Sequence, residues 1–261
     1  MNKDIVTLSN NERGVTVITL NRPEVHNAFD GELVHSLSMA LKSVEEDENV
    51  RIVIIAANGK SFCAGADIKW MRQMGLANED ENKRDAESIA ELLGILDGLS
   101  KPTISLIQGN AYGGGVGLIS ATDIAIAVSK ASFAITETRV GVIPSVISPF
   151  VINKIGESHA RRYFLTGERF SSEQACKMGL VHDVVSPDAL AVRCEEYVQL
   201  LLKGGPQAQR EAKKLISATR GKVFNSDLKS DLAKRIAKVR VSNEGQEGLL
   251  AFHEKRKANW I

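Results

Sequence analysis

The sequence predicts an α/β protein in which an alternation of strands and helices is followed by an all-helical region. A short apolar run, a glycine-containing loop and a helical pattern occur in this order twice, starting at Ile52 and at Thr103. Such a repeat is typical of a right-handed β/α wind. From Pro187 onward, apolar residues recur at helical spacing. We therefore predict a core over residues 1–187 and a helical region over residues 188–261.

The first elements of the core are two strands around a turn, then a helix and a buried strand. Residues 5–8 and 15–20 are rich in β-branched side chains and flank a run of turn formers. Asp30 is the predicted N-cap of the helix. The apolar side chains of this helix recur at helical spacing: Leu33, Leu37, Leu41 and Val44. Residues 52–57 are continuously apolar, which predicts a strand that is buried on both faces.

The rest of the core is predicted in the same way. Residues 75–84 are polar and lack an apolar period, which predicts a mobile segment before a helix. That helix carries Ile89, Leu92, Leu93 and Leu96. Residues 103–108 and 123–128 are predicted strands, and a helix of small residues lies between them. The helical region contains four further apolar patterns, near residues 190–201, 212–216, 227–239 and 244–256.

Composition and charge exclude several classes of protein. Of the 261 residues, 43% are hydrophobic and 25% are charged, as in soluble globular proteins, which excludes wholesale disorder, collagen and a coiled-coil rod. Lys and Arg number 33 against 32 Asp and Glu. A nucleic-acid binder usually carries a basic excess or stripe, and only the short run 255–257 is basic here. We therefore expect no nucleic-acid partner.

The location of the protein is predicted from cysteines and apolar segments. Cys63, Cys176 and Cys194 form no CxxC pair and cannot all be paired within one chain, which favours a reducing compartment. The first residues contain no apolar segment typical of a signal peptide. The longest apolar runs are too short to cross a bilayer. We expect a cytoplasmic protein without a membrane partner.

The run Gly113-Gly114-Gly115 is the most unusual feature of the sequence. Three glycines before a helix cost conformational entropy, so they need a physical reason. One reason is tight packing of the backbone. The other is a helix N-terminus whose bare amides face an anion or an oxyanion. The spacing excludes both a Walker loop and a dinucleotide-binding fingerprint.

Glu137 is the best candidate for an acid or a base. It lies in a mostly apolar stretch, and burial there would raise its pKa toward neutral pH. The alternatives are an ion pair with Arg139 or simple exposure. Other catalytic motifs are absent from the sequence, including GxSxG, HExxH and cysteine–histidine clusters with metal-ligand spacing, so we expect no metal. Asp123 is predicted to be a structural hydrogen-bonding residue, and Cys63 a small buried filler.

Three segments together resemble the enoyl-CoA hydratase/isomerase (crotonase) family. They are residues 61–69 (SFCAGADIK), residues 109–115 (GNAYGGG), and Glu137 followed by Gly141 and Pro144. The resemblance extends from residues 21–28 to residues 251–259. It implies a spiral of ββα units with a helical C-terminal part that forms a trimer or a dimer of trimers. It also implies an acyl-CoA thioester substrate, so that coenzyme A is part of the substrate and no separate cofactor is expected.

The resemblance also implies roles for individual residues. The amides of Ala66 and Gly114 would form an oxyanion hole, and Glu137 would transfer protons. The loop that contains Ala64, Ala66, Asp67, Ile68 and Lys69 would hold coenzyme A together with Gly114. Lys255 of a neighbouring subunit would meet the phosphates of coenzyme A.

One position departs from the hydratases of this family, which commonly carry a second glutamate two residues after the triple glycine. Gly117 occupies that position here. The first interpretation is a hydratase that works mainly through Glu137. Residues 143–150 and 160–166 resemble the branch that acts on methylglutaconyl-CoA, in branched-chain amino-acid (leucine) or fatty acyl catabolism.

Two other interpretations stay open. A Δ3,Δ2-enoyl-CoA isomerase needs only one base, and Glu137 would suffice. A non-catalytic scaffold that binds coenzyme A or RNA is the third. We favour the hydratase because of the resemblance over residues 145–150.

Overall fold

The computed structural model describes residues 4–261, which group into two compact units. One unit contains the described residues up to Leu99 together with Thr103–Glu195. The other contains Ser100–Pro102 and Glu196–Ile261. The division of the chain into residues 1–187 and 188–261 stays a prediction.

The strands form two sheets in the first unit. They are β1 (Val6–Asn10), β2 (Val15–Leu20), β3 (Ile52–Ala57), β4 (Ser61–Cys63), β5 (Thr103–Ile107), β6 (Asn110–Tyr112), β7 (Ile124–Val128), β8 (Ser132–Ala134), β9 (Phe170–Ser171) and β10 (Asp183–Val185). The larger sheet has the order β1-β2-β3-β5-β7-β10, and the smaller has the order β4-β6-β8-β9. All pairs are parallel except β1 with β2 and β8 with β9.

The helices lie between and after these strands. They are α1 (Gly31–Glu46), α2 (Ile68–Met74), α3 (Glu79–Gly98), α4 (Gly114–Ser120), α5 (Ser148–Thr166), α6 (Ser172–Lys177), α7 (Leu190–Leu202), α8 (Pro206–Thr219), α9 (Ser226–Arg240) and α10 (Asn243–Glu254). Short 3₁₀ turns cover Pro23–Val25, Glu137–Val140 and Pro187–Ala189. The helical direction of α5 is interrupted at Gly156, where φ is 75°. Among the described residues, no helix is both long and apolar enough to cross a membrane.

The ββα repeat is the feature that organises the first unit. Each unit of the repeat sends its first strand to the larger sheet and its second strand to the smaller one: β3 with β4, β5 with β6, and β7 with β8. The first two units were predicted from their glycine-containing loops. The third was not recognised because its second strand is followed by Ile135, Thr136 and Glu137 instead of glycines.

The core lies between the sheets and the helices that cover them. Ile52, Val53 and Ile55 of β3 are at most 1% exposed, because helices or the second sheet cover both faces of a parallel sheet. The predicted face of α1 is buried through Leu33, Leu37 and Leu41. The Asp30 carboxylate caps this helix by accepting a hydrogen bond from the Leu33 amide at 2.9 Å, as predicted.

The prediction that the helix begins only after residues 75–84 was wrong, and the mobility of this segment stays a prediction. Helix α3 already begins at Glu79, and Asn78 and Glu81 form a capping box at its N-terminus. The Asn82 side chain donates hydrogen bonds to carbonyl oxygens of Met74 and Ala77, which ties the end of α2 to the start of α3. The first two turns of α3 are exposed over most of their surface, and so they lack the apolar period on which the prediction depended.

Candidate active site

The three ββα units place their candidate groups at one edge of the smaller sheet. Because β4, β6 and β8 are parallel neighbours, their C-terminal ends lie side by side. Ala66, Gly114 and Glu137 each follow one of these strands within three residues. All three line one cavity of about 420 Å³. The fold therefore brings together the three residues that the sequence analysis selected for catalysis.

The amide of Ala66 is oriented by a single parallel bridge to Phe29. The Phe29 amide donates to the Gly65 carbonyl at 2.7 Å, and the Asp67 amide donates to the Phe29 carbonyl at 2.7 Å. In a parallel bridge, the hydrogen bonds to the partner strand are made by the residues before and after the bridged one, here the Gly65 carbonyl and the Asp67 amide. The N–H of Ala66 itself therefore points away from Phe29, on the other side of the loop.

The amide of Gly114 is the first of helix α4. The first N–H groups of a helix have no acceptor within it, so this amide is available to a ligand in the cavity. Gly113, with a φ of 47°, makes the turn from β6 into the helix and donates its own amide to the Ala134 carbonyl at 2.9 Å. The triple glycine thus ends the strand and exposes one amide.

Tight packing accounts for the same three glycines. A Cβ on Gly113 would lie 3.0 Å from Glu137 Oε1, and one on Gly114 would lie 3.0 Å from the Phe29 ring. A Cβ on Gly115 would lie 2.5 Å from the Cys63 carbonyl oxygen. The two explanations of the triple glycine, close packing and an exposed amide, therefore hold together.

Glu137 begins the 3₁₀ turn after β8 and is half-buried in the cavity wall. Burial raises the pKa of its carboxyl, while nearby amides of Glu137 and Thr136 oppose this shift. In the described part of the chain, Oε2 of this carboxylate is buried and accepts no hydrogen bond. The predicted alternative, an ion pair with Arg139, is not formed: the Arg139 Nε donates to the Thr166 carbonyl at 3.2 Å. Glu137 therefore has the environment of a proton acceptor.

The space that a side chain at residue 117 would need is occupied by the side chain of Ile147. A Cβ on Gly117 would overlap Ile147 Cγ2 and would lie 3.4 Å from Leu93 Cδ1. This contact between Cβ and Cγ2 would be closer than real Cβ atoms make. Ile147 would therefore have to move before any side chain could fit at residue 117. Glycine at this position is thus matched to the packing around it.

The opposite wall of the cavity is made of side chains from α2 and α3. It contains Trp70, Met71, Asn82, Asp85, Ala86 and Ile89. Val140 and residues 142–147 also line the cavity and are mostly apolar. The sequence analysis missed Trp70 and Asp85. A signal was present, because Asp85 lies four and eight residues before Ile89 and Leu93, and so on the same face of the helix.

The predicted coenzyme A loop lies at the edge of this cavity. Ala64 and Ala66 line it, while Ile68 and Lys69 are exposed. Asp67 caps α2, since its carboxylate accepts hydrogen bonds from the amides of Lys69 and Trp70. Asp67 and Lys69 also line a second, open groove of about 480 Å³ together with Arg22 and Val25.

The remaining candidates lie outside the cavity. Lys255 is exposed and ends helix α10 in the second unit. Asp123 is a structural hydrogen-bonding residue as predicted, since its carboxylate accepts from the amide and the hydroxyl of Thr103. Cys63 is a buried filler as predicted, and burial raises the pKa of its thiol to about 12. Over residues 4–261, His, Cys, Asp and Glu form no cluster of three or more that could hold a metal ion.

Comparisons with known proteins identify the family and the fold of the chain. The profile of the family described as enoyl-CoA hydratase/isomerase matches residues 10–261. The crystal structure of an enoyl-CoA hydratase from Shewanella pealeana superimposes with a TM-score of 0.96 and 40% identity, and the match covers 99% of this chain and 97% of that chain. The predicted α/β spiral is therefore confirmed.

Relatives with different activities are similarly distant from this chain. The mitochondrial enoyl-CoA hydratase of Pongo abelii is 33% identical over 254 residues, with 94% of this chain and 83% of the relative covered. The trans-2-decenoyl-[acyl-carrier-protein] isomerase of Streptococcus mutans is 30% identical over 254 residues, with 96% and 95% covered. Identity alone does not separate the two activities.

Proposed function

Because the chain belongs to the enoyl-CoA hydratase/isomerase family, we propose that this enzyme adds water to a 2-enoyl-CoA with Glu137 as its one catalytic carboxylate. The observation that carries the proposal is the half-buried carboxylate of Glu137, whose Oε2 accepts no hydrogen bond, in the same cavity as Ala66 and Gly114. Because burial raises the pKa of this carboxyl, Glu137 is a stronger base than an exposed glutamate and can return the proton as a carboxylic acid.

The two amides have an electrostatic role in this proposal. The thioester carbonyl oxygen accepts hydrogen bonds from the N–H groups of Ala66 and Gly114. Negative charge grows on this oxygen as the enolate forms, and each fixed donor stabilises the transition state by about 3 kcal/mol. Phe29 keeps the two donors apart, because its backbone pairs with the Ala66 loop and its ring packs against Gly114.

Glu137 carries both proton transfers. It takes a proton from water while the water oxygen bonds to C3, and the electron pair of the double bond moves through C2 to the thioester oxygen. The enolate then collapses, and C2 takes the proton from the Glu137 carboxylic acid. Water has been added across the double bond, and Glu137 is again a carboxylate.

The attacking water needs a second partner, because Ile147 occupies the space at Gly117. We propose that the hydroxyls of Thr136 and Ser145, which line the cavity, supply this hydrogen bond. Hydroxyl groups both donate and accept, so they can orient water without removing its proton.

We further propose that the loop of Ala64, Asp67, Ile68 and Lys69 holds coenzyme A, and that Lys255 of a neighbouring subunit meets its phosphates. A homotrimer or a dimer of trimers would supply that subunit. Several large apolar side chains of the second unit are exposed in the single chain, which supports an assembly through this unit. They include Leu215, Ile216, Ile236, Leu249 and Phe252.

Isomerisation between 3-enoyl-CoA and 2-enoyl-CoA is the second candidate activity. One base suffices to move a proton between two carbons, and Ile147 leaves Glu137 as the one carboxylate at this end of the described cavity lining. The isomerase relative supports this candidate, whereas the hydratase relatives and the resemblance over residues 145–150 favour hydration. We find no observation that favours a non-catalytic scaffold.

Methylglutaconyl-CoA stays a prediction for the acyl group. It is supported by the resemblance over residues 143–150 and 160–166. Its second carboxylate would need a cation or several donors, and the described cavity lining contains neither Lys nor Arg. We therefore place an uncharged 2-enoyl-CoA first.

A substrate panel in D₂O tests the proposal. Crotonyl-CoA, methylglutaconyl-CoA and a 3-enoyl-CoA are incubated with the enzyme, loss of the enoyl-thioester absorbance is followed, and products are identified by mass spectrometry. We expect a 3-hydroxyacyl-CoA with one deuterium on C2 from crotonyl-CoA. Conversion of the 3-enoyl-CoA alone, without addition of water to any substrate, would establish an isomerase instead.

A further inference from the structure

The charged residues that line the cavity are all acidic. Among the described residues that line it, Glu137 and Asp85 are acidic and none is Lys, Arg or His. Glu137 is accounted for by the proposed reaction. Asp85 is not, and a partly buried carboxylate on the apolar wall of a binding cavity needs a reason.

The register of α3 places Asp85 relative to the reacting end of the cavity. Leu93 lies beside Gly117, and Ile89 and Asp85 follow on the same face at one and two turns toward the N-terminus. At a rise of 1.5 Å per residue, Asp85 is about 12 Å along the helix axis from Leu93. Asp85 therefore lies away from residue 117, on the wall of the cavity in which the proposed function places the acyl chain.

Asp85 lies near Trp70 of the neighbouring α2. Burial raises the pKa of the Asp85 carboxyl, and the Trp70 side chain opposes this shift. Trp70 itself lines the cavity. The Asp85 carboxylate thus belongs to the cavity wall, with the apolar Ala86 and Ile89 next to it toward the C-terminus of α3 and the polar Asn82 toward the N-terminus.

We propose that Asp85 is a specificity-determining residue that excludes acyl groups with a distal carboxylate and so selects uncharged acyl chains. Two like charges in a cavity without a counter-charge repel each other, and partial removal of water strengthens the repulsion. The proposal rests on the proposed function, since it concerns the acyl group in the same cavity. It names the class of substrate: a 2-enoyl-CoA whose acyl chain carries no second charge.

Affinity measurements test this inference without turnover. Butyryl-CoA and glutaryl-CoA, which differ by a distal carboxylate, are titrated into wild type, Asp85→Asn and Asp80→Asn in a calorimeter. Asparagine keeps the shape of the side chain and removes the charge. Asp80 is an exposed residue of the same helix and does not line the cavity, so Asp80→Asn controls for the long-range effect of one lost charge.

We expect wild type to bind butyryl-CoA at least about tenfold more tightly than glutaryl-CoA. This ratio corresponds to the repulsion between the Asp85 carboxylate and the distal carboxylate at a partly hydrated site. Asp85→Asn should reduce this ratio at least about fivefold, while Asp80→Asn should leave it within twofold. An unchanged ratio in Asp85→Asn, or an equal change in both variants, would overturn the inference. So would tighter binding of glutaryl-CoA by wild type. Failure of crotonyl-CoA hydration would refute the proposed function alone, because the affinity ratio does not depend on turnover.

Discussion

The two ends of the cavity are built in different ways. At the sheet edge, the groups proposed for catalysis are two backbone amides and one side chain, each set by the end of a strand in the smaller sheet. The opposite wall consists of side chains from α2 and α3, such as Trp70 and Asp85. Backbone groups are fixed by the fold, whereas wall side chains can change without altering it. In the proposed function, the first end would therefore determine the reaction and the second would determine the acyl group.

The strongest test of the sheet edge is the substitution Glu137→Gln. It keeps the shape of the side chain and removes its ability to accept a proton. We expect turnover to fall at least about a thousandfold, within the range for loss of a general base. The affinity for acyl-CoA, measured by titration, should stay within a few-fold of wild type. Substantial remaining turnover would exclude Glu137 from the mechanism.

The next test separates the amide of Gly114 from the space around it. Gly114→Pro removes the N–H, and Gly114→Ala keeps it while adding a Cβ that must displace the Phe29 ring. We expect kcat to fall at least about a hundredfold more in the proline variant than in the alanine variant. Circular dichroism and thermal melting establish that both variants fold. Equal rates in the two folded variants would contradict the oxyanion role.

The packing between the two ends is tested at Gly117. Gly117→Ala pushes a Cβ onto Ile147, so we expect the free energy of unfolding to fall by about 1–3 kcal/mol. Shortening Ile147 to Ala removes the Cγ2 atom that the new methyl group at residue 117 would overlap. The double variant should therefore lose less stability than the two single variants predict by addition. Strict additivity in urea denaturation would contradict a direct clash.

The smallest effect is expected in the pH dependence of catalysis. The pKa of Glu137 is raised by burial from the ordinary value of 4.5, and the reaction needs the deprotonated form. As the pH falls through the raised pKa, kcat/KM should decrease tenfold per unit, with a midpoint above 4.5. A pH profile of crotonyl-CoA hydration measures this limb. A profile that stays flat down to pH 4.5 would show that the group is not titrating in the free enzyme.

The sheet edge could be predicted from the sequence and the helical wall could not. Gly113, Gly114 and Gly115 are visible because three glycines before a helix need a structural reason, and Glu137 because it is a charge in an apolar stretch. The first turns of α3 have no apolar period, so the predicted helix was placed after residue 84. Asp85 was therefore grouped with the charged residues before it, although its spacing from Ile89 and Leu93 places it on the same helix face. The third ββα unit was hidden for a related reason, because its second strand is not followed by glycine.

In the proposed function, the edge of the smaller sheet holds the thioester and its reacting carbons. A crystal structure of Glu137→Gln with crotonyl-CoA would show where they bind. We expect the thioester oxygen to lie about 2.7–3.1 Å from the amides of both Ala66 and Gly114, with C2 and C3 beside the side chain of residue 137. A thioester oxygen beyond hydrogen-bonding distance of both amides, or an acyl group outside this cavity, would contradict it.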